Sequence, residues 1–336
     1  MRGRRVILTI ATCYAVLCTV LAVFLGELAF RPQRMPLRYR QSPKTIAARF
    51  GADLRDVSIR ASDGVQLRGW FASPASNANG DAVILLHGVG DNREGMSGFA
   101  ELFLSKGYAV LLPDSRAQGE SGGGFPTYGV KETDDVHRWF NWLAAQQHPR
   151  CTFGMGESMG AAILLQSVRV VTRFCAVVAE SPFASFRQIA YVRVGQFGGT
   201  GPWLGKIALR PAVELAFLYG KVTRGIFLTD ASPEKAVIGS RVPILLIHGL
   251  SDENIPFRQS EWIHSRNPDD ITLWEVPGAG HCGAVSVAPR EFDSRVVEWF
   301  SAHDHRLAPI TKVLSDASIR EPKNRIAGSQ IQTASF

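Results

Sequence analysis

Residues 6–25 form one run of apolar and small residues without a charge. About 20 such residues cross the hydrocarbon core of a bilayer as a helix. Beyond residue 55 the pattern changes. Residues 56–60 and 65–70 alternate around Ser62-Asp63-Gly64, which predicts a β-hairpin. Short apolar runs then recur at 82–86, 108–112, 151–155, 175–179, 242–247 and 271–276, each the length of a buried strand. Segments of helical period lie between most of them, near 93–106, 129–147, 159–171, 257–265 and 289–302. Strands alternating with helices predict an α/β fold. Its central sheet is mostly parallel, covered by helices on both faces, with the hairpin as an antiparallel edge.

The alternation stops between 183 and 240, a stretch of aromatic, Gly, Pro and basic residues with patchy helical pattern. That is too long for a simple connection, so an insertion lying over the sheet edge as a cap is expected. The last thirty residues mix Ser, Lys, Arg, Gln and Pro without sustained period and read as a disordered or loosely docked extension. The expected division is an anchor at 1–30, a juxtamembrane linker at 31–55, a folded α/β domain at 56–303 and a tail at 304–336.

Arg2, Arg4 and Arg5 precede the N-terminal apolar run, and Glu27 and Arg31 close it. A cleaved signal peptide has a shorter apolar core and an A-x-A-like exit, which Gly26-Glu27-Leu28-Ala29-Phe30 does not match. An uncleaved, single-pass signal anchor is therefore expected. The basic start favours a cytoplasmic N-terminus and an extracytoplasmic α/β domain, while Arg31, Arg34, Arg38, Arg40 and Lys44 argue the other way. The net charge of +7 admits nucleic acid or anionic lipid as partners. No zinc-finger, helix-turn-helix or RNA-binding signature accompanies it, so nucleic acid is not expected. Cys151, Cys175 and Cys282 are too few for a disulfide framework. Cys151 and Cys175 open neighbouring strand runs and could pair; buried free thiols are the expected state.

Gly156-Glu157-Ser158-Met159-Gly160 joins the strand run at 151–155 to a helical run. A serine between glycines at such a corner is the nucleophile-elbow pattern. A serine hydroxyl needs a base, and the base needs an orienting acid. In an open α/β sheet these gather where loops leave the carboxyl ends of strands. Asp252 follows the run at 242–247, with Glu253 as the neighbouring alternative and Glu180 a more distant one. His281 follows the last run, between Gly280 and Cys282-Gly283. The order Ser158, Asp252, His281 is that of α/β-hydrolase triads. His87 and His248 end strands and are expected to orient loops by hydrogen bonding.

A tetrahedral intermediate needs donors aimed at its oxyanion. Met159 follows the serine at a helix N-terminus, where a backbone N–H is unpaired and the dipole favours negative charge. The second donor is expected from Val89, with Gly90 as the adjacent alternative. His and Cys spacing offers no metal site, and no phosphate-cradling loop follows a strand, so no metal and no cofactor are expected.

The chain resembles the α/β-hydrolase superfamily over about 56–303. The resemblance rests on Leu86-His87-Gly88-Val89-Gly90-Asp91-Asn92-Arg93, on Pro113-Asp114-Ser115-Arg116-Ala117-Gln118-Gly119-Glu120-Ser121, on 156–160, on Gly249-Leu250-Ser251-Asp252 and on Gly280-His281. It looks most like membrane-anchored alpha/beta hydrolase domain-containing proteins, near the serine aminopeptidase-like and dienelactone-hydrolase-like groups. Ala117 departs from the pattern, where relatives usually carry glycine. The resemblance implies hydrolysis of a carboxylic ester or thioester through an acyl-enzyme; a peptidase or amidase on the same triad is the alternative, and an acyltransferase or inert module a lesser one. Phe183, Phe186, Tyr191, Phe197, Trp203 and Phe217 in the cap suit an apolar acyl group, or pack between cap and sheet. Arg187, Arg193, Lys206, Arg210, Lys221 and Arg224 face anionic lipid or simply water. The expected partners are thus a small or lipid-like acyl substrate and the membrane.

Overall fold

The apolar runs become strands because both of their faces are covered. The computed structural model describes residues 2–38, 43–197 and 203–304. Its strands are β1 (Ala52–Arg60), β2 (Gln66–Pro74), β3 (Ala82–Leu86), β4 (Ala109–Pro113), β5 (Thr152–Glu157), β6 (Val177–Glu180), β7 (Ile244–Gly249) and β8 (Ile271–Val276). They form one sheet in the order β1-β2-β4-β3-β5-β6-β7-β8. β1 and β2 pair antiparallel, β2 meets β4 antiparallel, and every later neighbour is parallel. The hairpin begins at Ala52, earlier than the alternation indicates, because Ala52 to Arg55 ladder onto Pro74 to Phe71.

The helices are α1 (Arg2–Phe30), α2 (Pro43–Arg49), α3 (Ser97–Ser105), α4 (Glu132–Gln147), α5 (Met159–Ser167), α6 (Phe186–Phe197), α7 (Arg210–Arg224), α8 (Pro233–Ala236), α9 (Arg258–His264), α10 (Ala284–Val287) and α11 (Pro289–Ala302). Ala82, Ile84 and Leu86 of β3 enter one core with Trp139 and Phe140 of α4, the buried α5 and Ile263 of α9. Val83 and Leu85 enter the other, with Phe103 of α3 and Phe292 and Phe300 of α11. Burial on both faces is why such strands read as continuous apolar runs.

Between β6 and β7 the described chain forms α6, a π-helical turn (Leu204–Ala208), α7, a short 3-10 turn and α8. Of the expected tail, all but residue 304 lies outside the described residues. α1 is long and apolar enough to cross a membrane. It does not stand apart from the domain. Cys18, Ala22, Gly26 and Phe30, four residues apart, are its buried stripe, and they face α7. A Cβ on Gly26 would come 2.6 Å from the Tyr219 ring, and one on Gly220 2.7 Å from the Phe30 ring, so glycine permits this close approach on both helices. The Tyr14 hydroxyl donates to Ala208 O at 2.6 Å. Glu27 accepts from Tyr219 at 2.6 Å and from Arg224 at 2.8 Å.

Residues after α1 are pinned in turn. The Arg34 guanidinium donates to Gly119 O and Ser121 O, and Asn92 Nδ2 donates to Met35 O and Pro36 O.

Cys151 and Cys175 form a disulfide, so the free-thiol expectation does not hold for this pair. They open adjacent parallel strands, and the β5–β6 ladder brings the two starts together. By loop-closure entropy the bridge contributes about 3 kcal/mol. The double Cys→Ala variant is expected to lose that much in denaturant unfolding. Thiol titration of unfolded, unreduced protein should count three of five cysteines, Cys13, Cys18 and Cys282; five would overturn the bond.

Candidate active site

β5 ends at Glu157 and α5 starts at Met159, which leaves one residue for the corner. Ser158 makes it with φ 50° and ψ −113°, outside the ordinary wells of a non-glycine residue. Such strain costs about 1–3 kcal/mol and persists only where the surroundings enforce it. Here Ser158 N–H donates to Glu180 O at 2.8 Å, and Ala162 N–H donates to Ser158 O at 3.0 Å. The flanking glycines are demanded by space. A Cβ on Gly156 would lie 2.6 Å from the Gly160 carbonyl carbon, and one on Gly160 2.1 Å from Leu86 O.

Asp252 and His281 lie 29 residues apart. They meet because β7 and β8 are parallel neighbours whose exits touch. A Cβ on Gly249 would strike Ala279 O at 2.3 Å, and Ser251 N–H donates to that same oxygen at 2.9 Å. His281 Nδ1 then stands 2.8 Å from Asp252 Oδ2, and His281 Nε2 2.9 Å from Ser158 Oγ. Burial pushes the Asp252 carboxyl up. Hydrogen bonds from His248, His281 and the Ile255 N–H outweigh it and hold the group below the usual carboxylate range. An ionised Asp252 only accepts, so Nδ1 carries the imidazole proton. Nε2 is then free to accept from the serine hydroxyl. Glu253 is exposed and offers its carbonyl to Gln196, away from His281. Glu180 Oε1 accepts from Ala284 N–H at 3.0 Å instead of meeting the histidine.

His87 is buried below the Val89 loop. Ser115 N–H donates to its Nε2 at 3.0 Å, so Nδ1 carries hydrogen and donates to Gly88 O at 2.7 Å. Burial lowers its pKa and keeps it neutral in that tautomer. A Cβ on Gly88 would lie 3.5 Å from Ser158 Cβ, so this loop runs beside the serine. Val89 and Met159 both line the cavity in front of Ser158. His248 sits between Ser260 Oγ at 2.7 Å and Ile255 O at 2.8 Å, bracing the Asp252 loop.

Two further carboxyls lie near the serine: Glu180, which the sequence offers as a distant alternative acid, and Glu157, which it does not mark. Burial, then the charges of Glu180 and Asp91, pushes Glu157 up to about 8. Burial raises Glu180 to about 7 against its hydrogen bond from Ala284. Burial and these same carboxyls hold the Cys282 thiol well above its ordinary range, so it is a thiol and no competing nucleophile.

The cavity in front of Ser158 has a volume of about 660 Å³. Phe183, Phe186 and Phe217 line it, as the cap reading expects. Tyr191 instead bonds Glu214, and Trp203 is exposed. Arg187 and Arg224 are tied to Glu214 and Glu27. Leu25, Gly26, Leu28 and Ala29 of α1 also line the cavity. The sequence does not mark them: Leu25 ends the membrane-length run, and Gly26, Leu28 and Ala29 follow it within the expected anchor at 1–30.

A sheet of this order, with a strained serine at the β5 exit and an acid and a base at the β7 and β8 exits, defines a hydrolase architecture. Residues 83–295 match the model of the alpha/beta hydrolase family, and the chain belongs to that family. It is 27% identical over 227 residues to YqkD of Bacillus subtilis, covering 66% of this chain and 71% of that one. It is 29% identical over 230 residues to Rv2307c of Mycobacterium tuberculosis, covering 68% and 72%. Among solved structures, the Pyrococcus furiosus esterase Pf2001 superposes with a TM-score of 0.64 at 26% identity, covering 81% of this chain and 98% of that one.

Proposed function

We propose that this hydrolase is a serine esterase cleaving a carboxylic ester or thioester with an apolar acyl group. The observation that carries the reading is the unbroken relay from Asp252 through His281 to Ser158, facing an apolar cavity. Ser158 Oγ attacks the acyl carbon as His281 Nε2 takes its proton. His281 returns that proton to the leaving oxygen or sulfur, leaving an acyl-serine. Water, deprotonated by His281, then releases the acid. Asp252 stabilises the imidazolium formed at each step. The backbone N–H groups of Val89 and Met159 hold the oxyanion. The likeness to the esterase Pf2001 favours the ester class.

α1 is read as a single-pass anchor. The disulfide supports an extracytoplasmic catalytic domain, since such bonds persist in oxidising compartments.

A fluorophosphonate probe is expected to label the wild type and not Ser158→Ala. Matched ester, thioester and anilide series then define the bond cleaved. Folded protein that resists labelling ends the serine-hydrolase reading, and turnover of anilides alone ends the ester reading.

A further inference from the structure

We propose that the last two turns of α1 are a wall of the acyl site, so that the N-terminal helix sets the length of acyl chain the enzyme accepts. This rests on the esterase reading above and adds a specificity-determining element that lies outside the matched family region.

Four observations carry it. Leu25, Gly26, Leu28 and Ala29 line the same cavity as Ser158 and His281. Phe30, which ends the helix, is 1% exposed and packs edge-on against Phe125 with ring centroids 5.1 Å apart. The Tyr128 hydroxyl donates to Ala29 O at 2.7 Å, and Tyr128 itself lines the cavity. Glu27, on the helix between the cavity-lining residues, is tied to Tyr219 and Arg224 of α7. The wall is therefore held at both of its edges. A side chain there cannot move aside cheaply when the cavity is filled.

The ligand chemistry follows from the lining. The wall contributes only aliphatic side chains and a glycine, and the segment between β6 and β7 contributes Phe183, Phe186, Ile189, Val213 and Phe217 to the same cavity. An extended aliphatic acyl chain fits such a surface. A short acyl group beside Ser158 needs none of it. Each methylene withdrawn from water there favours the longer chain by about fourfold.

The test uses the full chain in detergent micelles, with p-nitrophenyl esters from acetate to palmitate. Ala29→Trp places bulk in the wall while keeping the backbone carbonyl that Tyr128 needs. It is expected to cut kcat/KM for palmitate at least about tenfold and to leave acetate within about twofold. Leu17→Trp, on the exposed face of the same helix, should leave the whole profile unchanged. Leu25→Ala removes wall atoms without adding any, so it reads the same claim should Ala29→Trp fail to accumulate. Its optimum should move towards longer chains. A profile that keeps its shape in the wall variants overturns the proposal while wild-type turnover leaves the esterase reading standing. A wild type inert towards every ester defeats both.

Discussion

Asp252→Asn is expected to lower kcat about 10⁴-fold while the fold stays intact. The size of the effect follows from which amide atom ends up facing the histidine. Asp252 Oδ1 accepts from both Asn254 N–H and Ile255 N–H, at 2.9 Å each. An asparagine must keep its carbonyl oxygen there, which leaves its NH₂ in the place of Oδ2. That NH₂ donates towards His281 Nδ1, so the imidazole carries its proton on Nε2 and points it at Ser158. A base in that tautomer cannot accept the serine proton. The acidic neighbour supplies the control, since Glu253→Gln should leave the rate unchanged. A loss below tenfold in Asp252→Asn, or a collapse in Glu253→Gln, would move the orienting role elsewhere.

Asp114→Ala is expected to cost about 3–5 kcal/mol of stability. The Asp114 and Arg93 side chains are 0% and 2% exposed and form a salt bridge. Asp114 also accepts from Arg93 N–H at 2.8 Å and from Glu120 N–H at 2.7 Å. Alanine would leave two backbone donors and one buried guanidinium without this carboxylate. Glu120 and the face of Trp70, 4.7 Å from the guanidinium carbon, remain and hold the loss towards the lower end. For a domain of this size the apparent Tm should fall by about 10 °C. Asp114→Asn keeps an acceptor and the shape, so it should lose less. Equal melting of wild type and Asp114→Ala would show that the pair contributes nothing.

These two residues also show why some of the molecule can be read along the chain. Asp252 and His281 were legible because each follows an apolar run directly, and strand exits gather at one edge of a parallel sheet. The serine was legible because its corner tolerates only small flanking residues. The Asp114 turn was recognisable, and Ala117 within it takes φ 59°, the left-handed conformation that favours glycine. The disulfide was not legible, because pairing depends on how two strand starts align and no local pattern encodes that. Nor was the inner face of α1. Its burial depends on α7, about 190 residues away, and on a fit between Gly26 and the Tyr219 ring that the sequence does not announce.

The segment after α1 bears on how the enzyme meets its surroundings. Eight free residues could extend by roughly 26 Å and let a tethered domain roam. Held by Arg34, Asn92 and Glu94, residues 31–38 are a mount and not a leash. If α1 crosses a bilayer, the serine keeps one height and one tilt above it. For a substrate held in that leaflet the search is then planar. The rate should follow the surface density of such a substrate, not its concentration in the bulk.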